Sequence, residues 1–161
     1  MIQEIKNKIL SHNQLIGKLE ELRMKNKKIV FTNGCFDLLH QGHIDYLAKA
    51  KELGDILILG LNTDKSIQRL KGLSRPIQDQ ISRATILASL VQVDFVVLFD
   101  EDTPYELIKF VQPDVLVKGA DYKAENIVGY DIVKAKGGEV VTIEFLEGFS
   151  TSNIVNKIKA Q

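Results

Sequence analysis

The sequence contains very little cysteine, proline and tryptophan. Its 161 residues include one cysteine, three prolines and no tryptophan. The single cysteine, Cys35, excludes an internal disulfide framework and is typical of proteins that fold in a reducing compartment. No internal repeat, low-complexity tract or proline-rich linker divides the chain. The length therefore predicts one ordinary domain that can bury a hydrophobic core.

Neither sign of charge is in excess, and long apolar runs are absent. Twenty-one basic residues balance twenty-one acidic ones, so no overall field attracts the chain to nucleic acid or an anionic membrane. No run approaches the roughly 18 apolar residues of a membrane span, and the polar N-terminus MIQEIKNKIL lacks the features of a signal peptide. These absences predict a cytoplasmic protein with no nucleic-acid and no membrane partner. Any phosphate ligand must then be held by local groups.

Short apolar strands alternate with helices from Lys28 onward. The predicted strands comprise residues 29–31, 55–61, 95–99, 115–117 and 140–145. The predicted helices comprise residues 44–53, 80–91, a segment opened by Thr103-Pro104, 128–135 and 150–159. Continuously apolar strands of this kind are typical of a parallel sheet that is covered on both faces. The pattern predicts an α/β protein with a doubly wound, parallel, five-stranded sheet.

The first 26 residues have a helical pattern without a long apolar strand. The isoleucines of residues 2–9 share one helical face, and a leucine stripe follows a possible N-cap at Asn13: Leu15, Leu19 and Leu22. We expect this segment to pack on the core or on a second subunit. The chain is therefore divided into an N-terminal helical extension, residues 1–26, and an α/β domain, residues 27–161.

Two common phosphate-binding fingerprints are absent. Without a G-x-x-x-x-G-K-[ST] segment, a P-loop kinase or ATPase is unsupported, and without a G-x-G-x-x-G after the first strand, so is a dinucleotide oxidoreductase. In open parallel sheets, ligands bind outside the carboxyl ends of the strands. The first turn at that edge contains HQGH, from His40 to His43.

His40, Gly42 and His43 occur together where a strand is followed by a helix. Unpaired backbone N–H groups and the helix dipole favour an anion at such a place, and the missing Cβ of Gly42 would let a phosphate approach the main chain. Two imidazoles there can donate hydrogen bonds to a phosphoryl oxygen as its charge grows in a transition state. The pattern favours a phosphate-transfer site that needs no nucleophile of its own.

Two other interpretations of this segment stay open on the residues alone. Cys35, Asp37, His40 and His43 could form a four-ligand zinc site, although structural zinc sites usually contain paired cysteines or widely separated ligand pairs. The two histidines could also simply cap a helix. Cys35 itself is predicted to be a small buried residue.

The segment TNGCFDLLHQGHIDYL resembles the H-x-G-H signature of the nucleotidyltransferase superfamily, which includes cytidylyltransferases and phosphopantetheine adenylyltransferase. Further segments follow in the order seen in one branch, the D-glycero-β-D-manno-heptose 1-phosphate adenylyltransferases: RPIQDQISRATILASLVQVDFVV, FDEDTPYELIKFVQPDVLVKGADY, VGYDIVKAKGGEVV and EGFSTSNIVNKI. The resemblance covers residues 11–160. It implies a Rossmann-like nucleotidyltransferase domain over residues 27–161.

The resemblance also implies roles for particular residues. Catalytic roles fall to His40, His43 and Lys71. Nucleotide-binding roles fall to a larger set of loop and helix-start residues: Thr32, Asn33, Gly34, Phe36, Gly42, His43, Arg83, Lys118, Gly119, Asp121, Tyr122, Ser150, Thr151 and Ser152. Substrate-binding roles fall to Asp37, Asn62 and Arg75, and no residue is implied as a metal ligand.

Several of these residues have simpler alternatives. Ser150 could act only as an N-cap, since serine is a favoured cap. Arg83 could be a solvated charge on an amphipathic helix, and Arg75 a loop charge beside Pro76. Lys118 and its neighbouring glycine could simply end a strand and begin a turn.

The reaction implied by the resemblance joins ATP and the heptose 1-phosphate to give ADP-heptose and pyrophosphate. It implies Mg²⁺ as the cofactor that accompanies ATP, a homodimer, and a separate heptose kinase, because the chain has no fused kinase domain. Glycerol phosphate cytidylyltransferases carry an arginine in R-T-E-G-I-S-T-T, whereas this chain has FLEGFSTS, which weakens a cytidylyl reaction. Other acceptors, namely glycerol 3-phosphate, pantetheine phosphate and FMN, and a non-catalytic nucleotide-binding module are the alternatives.

Overall fold

The computed structural model describes residues 1–161. Its six parallel strands are β1 (Ile9–Leu10), β2 (Ile29–Gly34), β3 (Ile56–Asn62), β4 (Phe95–Phe99), β5 (Val115–Gly119) and β6 (Glu139–Ile143). The helices are α1 (Ile2–Asn7), α2 (His12–Met24), α3 (Gln41–Lys51), α4 (Asp64–Lys71), α5 (Gln80–Ser89), α6 (Tyr105–Val111), α7 (Tyr130–Ala135) and α8 (Thr151–Lys159), with a 3₁₀ turn at Ala124–Asn126. None of these helices combines the length and apolar character that a membrane crossing would need.

The predicted α/β class and parallel sheet are confirmed, but the sheet has six strands rather than five. The additional strand is β1, which pairs in parallel with β4 through Ile9 and Val96 and through Leu10 and Val97. A two-residue strand is too short to produce an alternating pattern, and the helix predicted to include Ile9 in fact ends at Asn7. The N-terminal segment therefore contributes an edge to the sheet.

Helix α2 lies against one face of the sheet. It begins at a capping box in which Ser11, rather than Asn13, accepts from the backbone N–H of Gln14. The leucine stripe predicted for this helix is buried: Leu15, Leu19 and Leu22. These leucines belong to one of two apolar clusters, one of 15 and one of 16 buried residues. The division at residue 26 stays a prediction, and β1 and α2 are packed into the same sheet and core as the rest.

The strand order β1-β4-β3-β2-β5-β6 places a topological switch point between β2 and β5. From β2 the chain continues to β3 and β4 on one side, and then crosses to β5 and β6 on the other. Loops that leave β2 and β5 consequently diverge, and a crevice opens at the carboxyl ends of these strands. The fold thus positions the loop after Gly34 and the loop after Gly119 around one cleft.

Candidate active site

The loop between β2 and α3 folds back on itself directly after the strand. Phe36 adopts a positive φ of 44°, which is uncommon for a bulky residue and clusters at functional sites. Gly34 leaves room for the Phe36 ring, because a Cβ at residue 34 would lie only 2.8 Å from Cε2 of Phe36. The ring of Phe36 packs beside that of His43, with 5.2 Å between the ring centroids.

His40 and His43 form a stacked pair at the start of α3. The ring centroids are 3.8 Å apart and the planes are inclined by 22°. His40 is the N-cap residue, but its side chain makes no capping hydrogen bond, which argues against the simple cap. The Nδ1 atoms of both rings are buried and have no hydrogen-bond partner. Buried unpartnered polar atoms of this kind are costly, and such atoms occur where a side chain has a catalytic role.

Gly42 has a different role from the one predicted. A Cβ at this position would lie 3.1 Å from Cε1 and Nδ1 of His40 and 3.2 Å from Cβ of Phe149. The space above Gly42 is therefore filled by the histidine ring and by Phe149. The glycine lets the His40 ring fold over the helix start, and the predicted clearance for a phosphate is not present there.

Burial keeps both imidazoles neutral. It lowers the pKa of His43 from 6.5 to about 4, and the charges of His40 and Lys71 act in the same direction. Burial also lowers the pKa of His40. A neutral imidazole has one N–H donor and one acceptor nitrogen, so the pair can donate hydrogen bonds to a phosphoryl oxygen at pH 7 without itself carrying a charge.

The lowered pKa of His43 predicts an acid-sensitive stability. Between pH 6.5 and about 4 the unfolded chain binds a proton that the folded chain excludes, so the free energy of unfolding should decrease as the pH falls through this window. Urea unfolding across the window checks this, and His43→Gln should flatten that part of the profile. An NMR titration that placed the folded-state pKa of His43 at its ordinary value would contradict the prediction.

Most of the predicted site residues converge on one cleft. It has a volume of about 270 Å³ and is lined by Asn33, Gly34, Phe36, Asp37, His43, Lys71, Arg75, Lys118, Gly119, Asp121, Tyr122 and Thr151. His40 joins them through its stacked ring. The cleft lies at the switch point between β2 and β5, where the fold favours ligand binding.

Two lysines supply positive charge to the cleft. Lys118 donates from Nζ to Oδ1 of Asn33 at 3.1 Å, and burial lowers its pKa. Lys71 is the last residue of α4, a helix capped by Thr63 and followed by Gly72 at a φ of 92°. The helix end carries the Lys71 side chain to the cleft.

Asp37 and Arg75 connect two loops of the cleft. The Asp37 carboxylate is buried and accepts from the backbone N–H groups of Ile77 and Gln78 at 2.9 Å. Its Oδ2 also lies 2.9 Å from Nε of Arg75. Both oxygens of Asp37 are therefore engaged within the protein. Asp37 fixes the loop that presents Arg75 to the cleft.

Arg83 does not line the cleft, contrary to its predicted nucleotide-binding role, and it is not a solvated charge either. Its guanidinium is buried and donates to the carbonyls of Cys35 at 2.8 Å, Asn62 at 2.9 Å and Gln78 at 3.0 Å. It also donates to the carboxylate of Asp64 at 2.7 Å. Since its donors already bind four protein groups, we assign Arg83 to positioning the loops behind the cleft.

Two further predicted residues are buried beneath the cleft. Thr32 donates to the carbonyl of Val117 at 3.1 Å and lies 2.8 Å from the hydroxyl oxygen of Tyr46. The Nδ2 of Asn62 donates to Oγ of Ser66 at 3.0 Å. Thr32 thereby joins β2 to β5 and α3, and does not reach the cleft surface.

The start of α8 places one of its three predicted hydroxyls in the cleft. Ser150 accepts from the backbone N–H of Asn153 at 3.0 Å and is an N-cap, the simpler alternative for this residue. Thr151 lines the cleft and donates to the carbonyl of Leu38 at 3.2 Å. Ser152 is exposed and lies outside the cleft lining.

Three cleft residues were not predicted as site residues. Cys35 is half-buried in the lining rather than part of the core. Tyr46 is buried, which raises its pKa to about 12, and the exposed ring of Phe145 stacks on it with 6.0 Å between centroids. A Cβ on Gly119 would overlap the Phe145 ring. The only signal for Phe145 was its place in FLEGFSTS, at the strand end before the α8 hydroxyls.

The zinc interpretation is not supported by the side-chain positions. No group of three or more His, Cys, Asp or Glu side chains converges as a metal-ligand set. Asp37 binds backbone N–H groups, and the two histidines stack face to face rather than pointing at a shared centre.

Comparison with protein families and curated proteins identifies relatives of the whole chain. The cytidylyltransferase-like family model matches residues 31–157. The bifunctional protein HldE of Campylobacter jejuni subsp. doylei is 58% identical over 156 residues, which are 97% of this chain and 32% of that protein. The HldE of Nitratiruptor sp. is 58% identical over 147 residues, 91% of this chain and 30% of that protein. The chain thus spans about a third of the length of these relatives.

Two solved structures share the fold. A lipopolysaccharide core biosynthesis protein from Thermoplasma volcanium has a TM-score of 0.61 and 32% identity, covering 74% of this chain and 97% of that one. A pantoate-β-alanine ligase from Francisella tularensis has a TM-score of 0.60 at 20% identity, covering 95% and 78%, and is similar in fold alone. The family match and the H-x-G-H pair at the switch point agree with the resemblance seen in the sequence. The chain belongs to the cytidylyltransferase-like family and is a nucleotidyltransferase.

Proposed function

We propose that this chain transfers AMP from ATP to D-glycero-β-D-manno-heptose 1-phosphate, giving ADP-heptose and pyrophosphate. Three findings support the proposal. The linked motifs resemble those of the heptose 1-phosphate adenylyltransferase branch, the relatives at 55–58% identity are bifunctional HldE proteins, and one structural relative is a lipopolysaccharide core biosynthesis protein. The chain also lacks the arginine of the glycerol phosphate cytidylyltransferases before its second motif.

The observation that carries the proposal is the stacked, neutral histidine pair. His40 and His43 lie at the start of α3 with unpartnered nitrogens, and Lys71 and Lys118 line the same cleft. This arrangement suits an α-phosphate, because the lysines offset its charge while the imidazoles donate to the oxygen that becomes more negative. The helix start adds a favourable dipole.

The reaction needs no covalent intermediate. An oxygen of the sugar phosphate, already ionised, attacks the α-phosphorus and forms the new P–O bond. The bond between the α-phosphorus and the bridging oxygen breaks, and pyrophosphate leaves with the electron pair. Catalysis is then positioning of two anionic substrates and electrostatic stabilisation of the transition state.

Mg²⁺ enters this proposal as part of the substrate MgATP. The chain offers no three-ligand set of its own, which fits an ion that keeps several waters and is held mainly by substrate phosphates. When bound, it neutralises charge on the triphosphate. Asp121 is the carboxylate in the cleft lining that can bind a water of this ion or a ribose hydroxyl, since both Asp37 oxygens are engaged.

Pyrophosphate release tests the proposal directly. We expect release with MgATP and the β-anomer of the heptose 1-phosphate, and little release with the α-anomer or with CTP. Glycerol 3-phosphate, pantetheine phosphate and FMN serve as acceptor controls. Release with one of these alone would replace the proposed acceptor, and tight ATP binding without release under any acceptor would favour a non-catalytic module.

We also propose that the chain forms a homodimer and that a sugar kinase, in another domain or protein, supplies its acceptor. Large apolar side chains that are more than half exposed support the dimer: Leu73, Ile77 and Ile81. The three lie in one short stretch of the sequence, and exposed apolar side chains that lie together mark interaction surfaces. Light scattering should give about twice the chain mass of 18.1 kDa, and a monomer at micromolar concentration would contradict the dimer.

A further inference from the structure

Phe145 places an exposed aromatic ring in a cleft that is lined mainly by polar residues. Its side chain is 56% exposed, and it belongs to neither of the two apolar clusters. The residue lies just beyond the end of β6, which ends at Ile143. An exposed aromatic ring inside a binding cleft offers a ligand a face on which apolar surface can be buried. The histidine pair and the lysines do not account for this ring.

The Phe145 ring rests on a rigid support. It stacks on the buried ring of Tyr46, with 6.0 Å between the centroids and 30° between the planes. The Tyr46 hydroxyl oxygen lies 2.8 Å from Oγ1 of Thr32, which itself donates to the carbonyl of Val117. The support therefore reaches from α3 through β2 to β5. A ring that is held in place before binding loses little conformational freedom when a ligand stacks on it.

Gly119 leaves room for the ring at the end of β5. A Cβ at residue 119 would overlap the Phe145 ring, and it would also lie 2.8 Å from Oδ1 of Asp121. A residue with a side chain at position 119 would therefore displace the ring. Since one face of the ring packs on Tyr46, the other face is the one that lines the cleft.

Of the two proposed substrates, only the nucleotide has a part that matches an aromatic face. The face of a phenyl ring carries negative charge density, so it does not attract a phosphate. A nucleobase is a flat π system, and bases of any kind stack on exposed aromatic side chains. A sugar offers this face only C–H groups. The free face of Phe145 therefore fits the base of the nucleotide best.

The spacing between this ring and the histidine pair also suits a nucleotide. Tyr46, which supports the Phe145 ring, lies three residues after His43 on α3. This separation is about 4.5 Å along the helix axis. In a nucleotide, the base and the α-phosphate are separated by one ribose. A base on Phe145 would thus leave the α-phosphate within reach of the start of α3, where the imidazoles can donate to it.

We propose that Phe145 stacks on the adenine of ATP and sets the preference of this enzyme for ATP over CTP, an assignment that rests on the proposed adenylyl transfer. Adenine and cytosine both present an amino group at the edge of the ring, so a single hydrogen-bond acceptor does not distinguish them. They differ in area. A bicyclic adenine covers more of a phenyl face than a monocyclic cytosine and buries more apolar surface on it.

Binding measurements without an acceptor test this assignment. In Phe145→Ala, we expect the Kd for an unreactive MgATP analogue to rise about tenfold or more, which is the order of one lost base–aromatic stack. The matching CTP analogue should weaken less, so that the preference for ATP falls roughly threefold or more. Tripolyphosphate with Mg²⁺, which has no base, should bind this variant as it binds the wild-type enzyme. Phe145→Leu, with apolar bulk but no π face, should recover only part of the ATP binding, and Phe145→Tyr most of it.

Phe110→Ala is the matched control, because this partly exposed ring stacks on His12 outside the cleft, and its loss should change none of these Kd values. If tripolyphosphate weakened as strongly as the ATP analogue in Phe145→Ala and Phe145→Leu, the loop would have moved and the assignment would be wrong. Equal losses for the ATP and CTP analogues would overturn the selectivity. An unchanged ATP Kd with a raised acceptor KM would place the sugar on the ring instead. Wild-type enzyme that binds the ATP analogue but releases no pyrophosphate with heptose 1-phosphate would defeat the proposed acceptor alone.

Discussion

Replacing either His40 or His43 by alanine should lower kcat by roughly 10²–10³, the range found for removal of one transition-state hydrogen-bond donor. The reason is the geometry of the pair. Both rings are held face to face at the helix start with free nitrogens, and neither ring makes a hydrogen bond that stabilises the fold. The loss should therefore appear in turnover and leave the free energy of unfolding nearly unchanged.

The double variant should lose much less than the product of the two single losses. The histidines act as one unit, since each ring orients the other through the 3.8 Å stack, and effects of residues that act as a unit are strongly non-additive. Single-turnover measurement with saturating MgATP isolates the chemical step from product release.

The third histidine provides the matched control. His12 lies outside the cleft, where its ring stacks on Phe110 with 6.3 Å between centroids. His12→Ala should retain wild-type kcat. If both cleft variants kept full turnover, the assignment of the pair to the transition state would be wrong. If they lost turnover together with their thermal transition, the pair would be structural.

The hydrophobic pattern of the sequence predicted those strands and helices whose apolar residues are buried in the core. Strand β3 is recognisable because nearly all of its residues are apolar and buried on both faces. Strand β1 is two residues long, and its pairing with β4 depends on chain geometry rather than on local pattern. Helix α4 was missed because only Ile67 of its apolar residues is fully buried, so no apolar stripe marks it.

The sequence was sufficient to predict which loops form the candidate site. It was not sufficient to predict which partner each side chain binds. The H-x-G-H spacing and the parallel sheet together brought His43 and Lys118 to one cleft. Whether an arginine faces a ligand or the protein depends on three-dimensional partners, and for Arg83 these are four residues from three separate segments. Likewise, the space above Gly42 is taken partly by Phe149, which comes from the loop before α8, far away in the sequence.

Arg83 carries the second large expected effect. Arg83→Met should lower the free energy of unfolding by about 3–5 kcal/mol, the usual cost of breaking a buried charged network from one side. The methionine has similar reach but no donors, so the carbonyls of Cys35 and Asn62 would be left without their partner. Arg83→Lys should recover only part of the loss, because one ammonium cannot reproduce the planar fork of a guanidinium. Urea unfolding measures both variants.

The same variants should report on the site, because Arg83 connects the Cys35 loop to the end of β3 and to the loop that carries Arg75. In Arg83→Lys, assayed where it remains folded, we expect kcat to fall while the pKa of His43 moves up toward its ordinary value as the loop loosens. If Arg83 were purely structural, its replacement would lower stability but change neither kcat nor the pKa of His43.

Arg69→Ala is the matched control: this arginine is half-exposed and pairs with Asp102 on the surface, and its loss should leave stability and turnover almost unchanged. Wild-type stability in Arg83→Met would contradict the assignment, since four buried or half-buried acceptors cannot lose their common donor without a measurable cost.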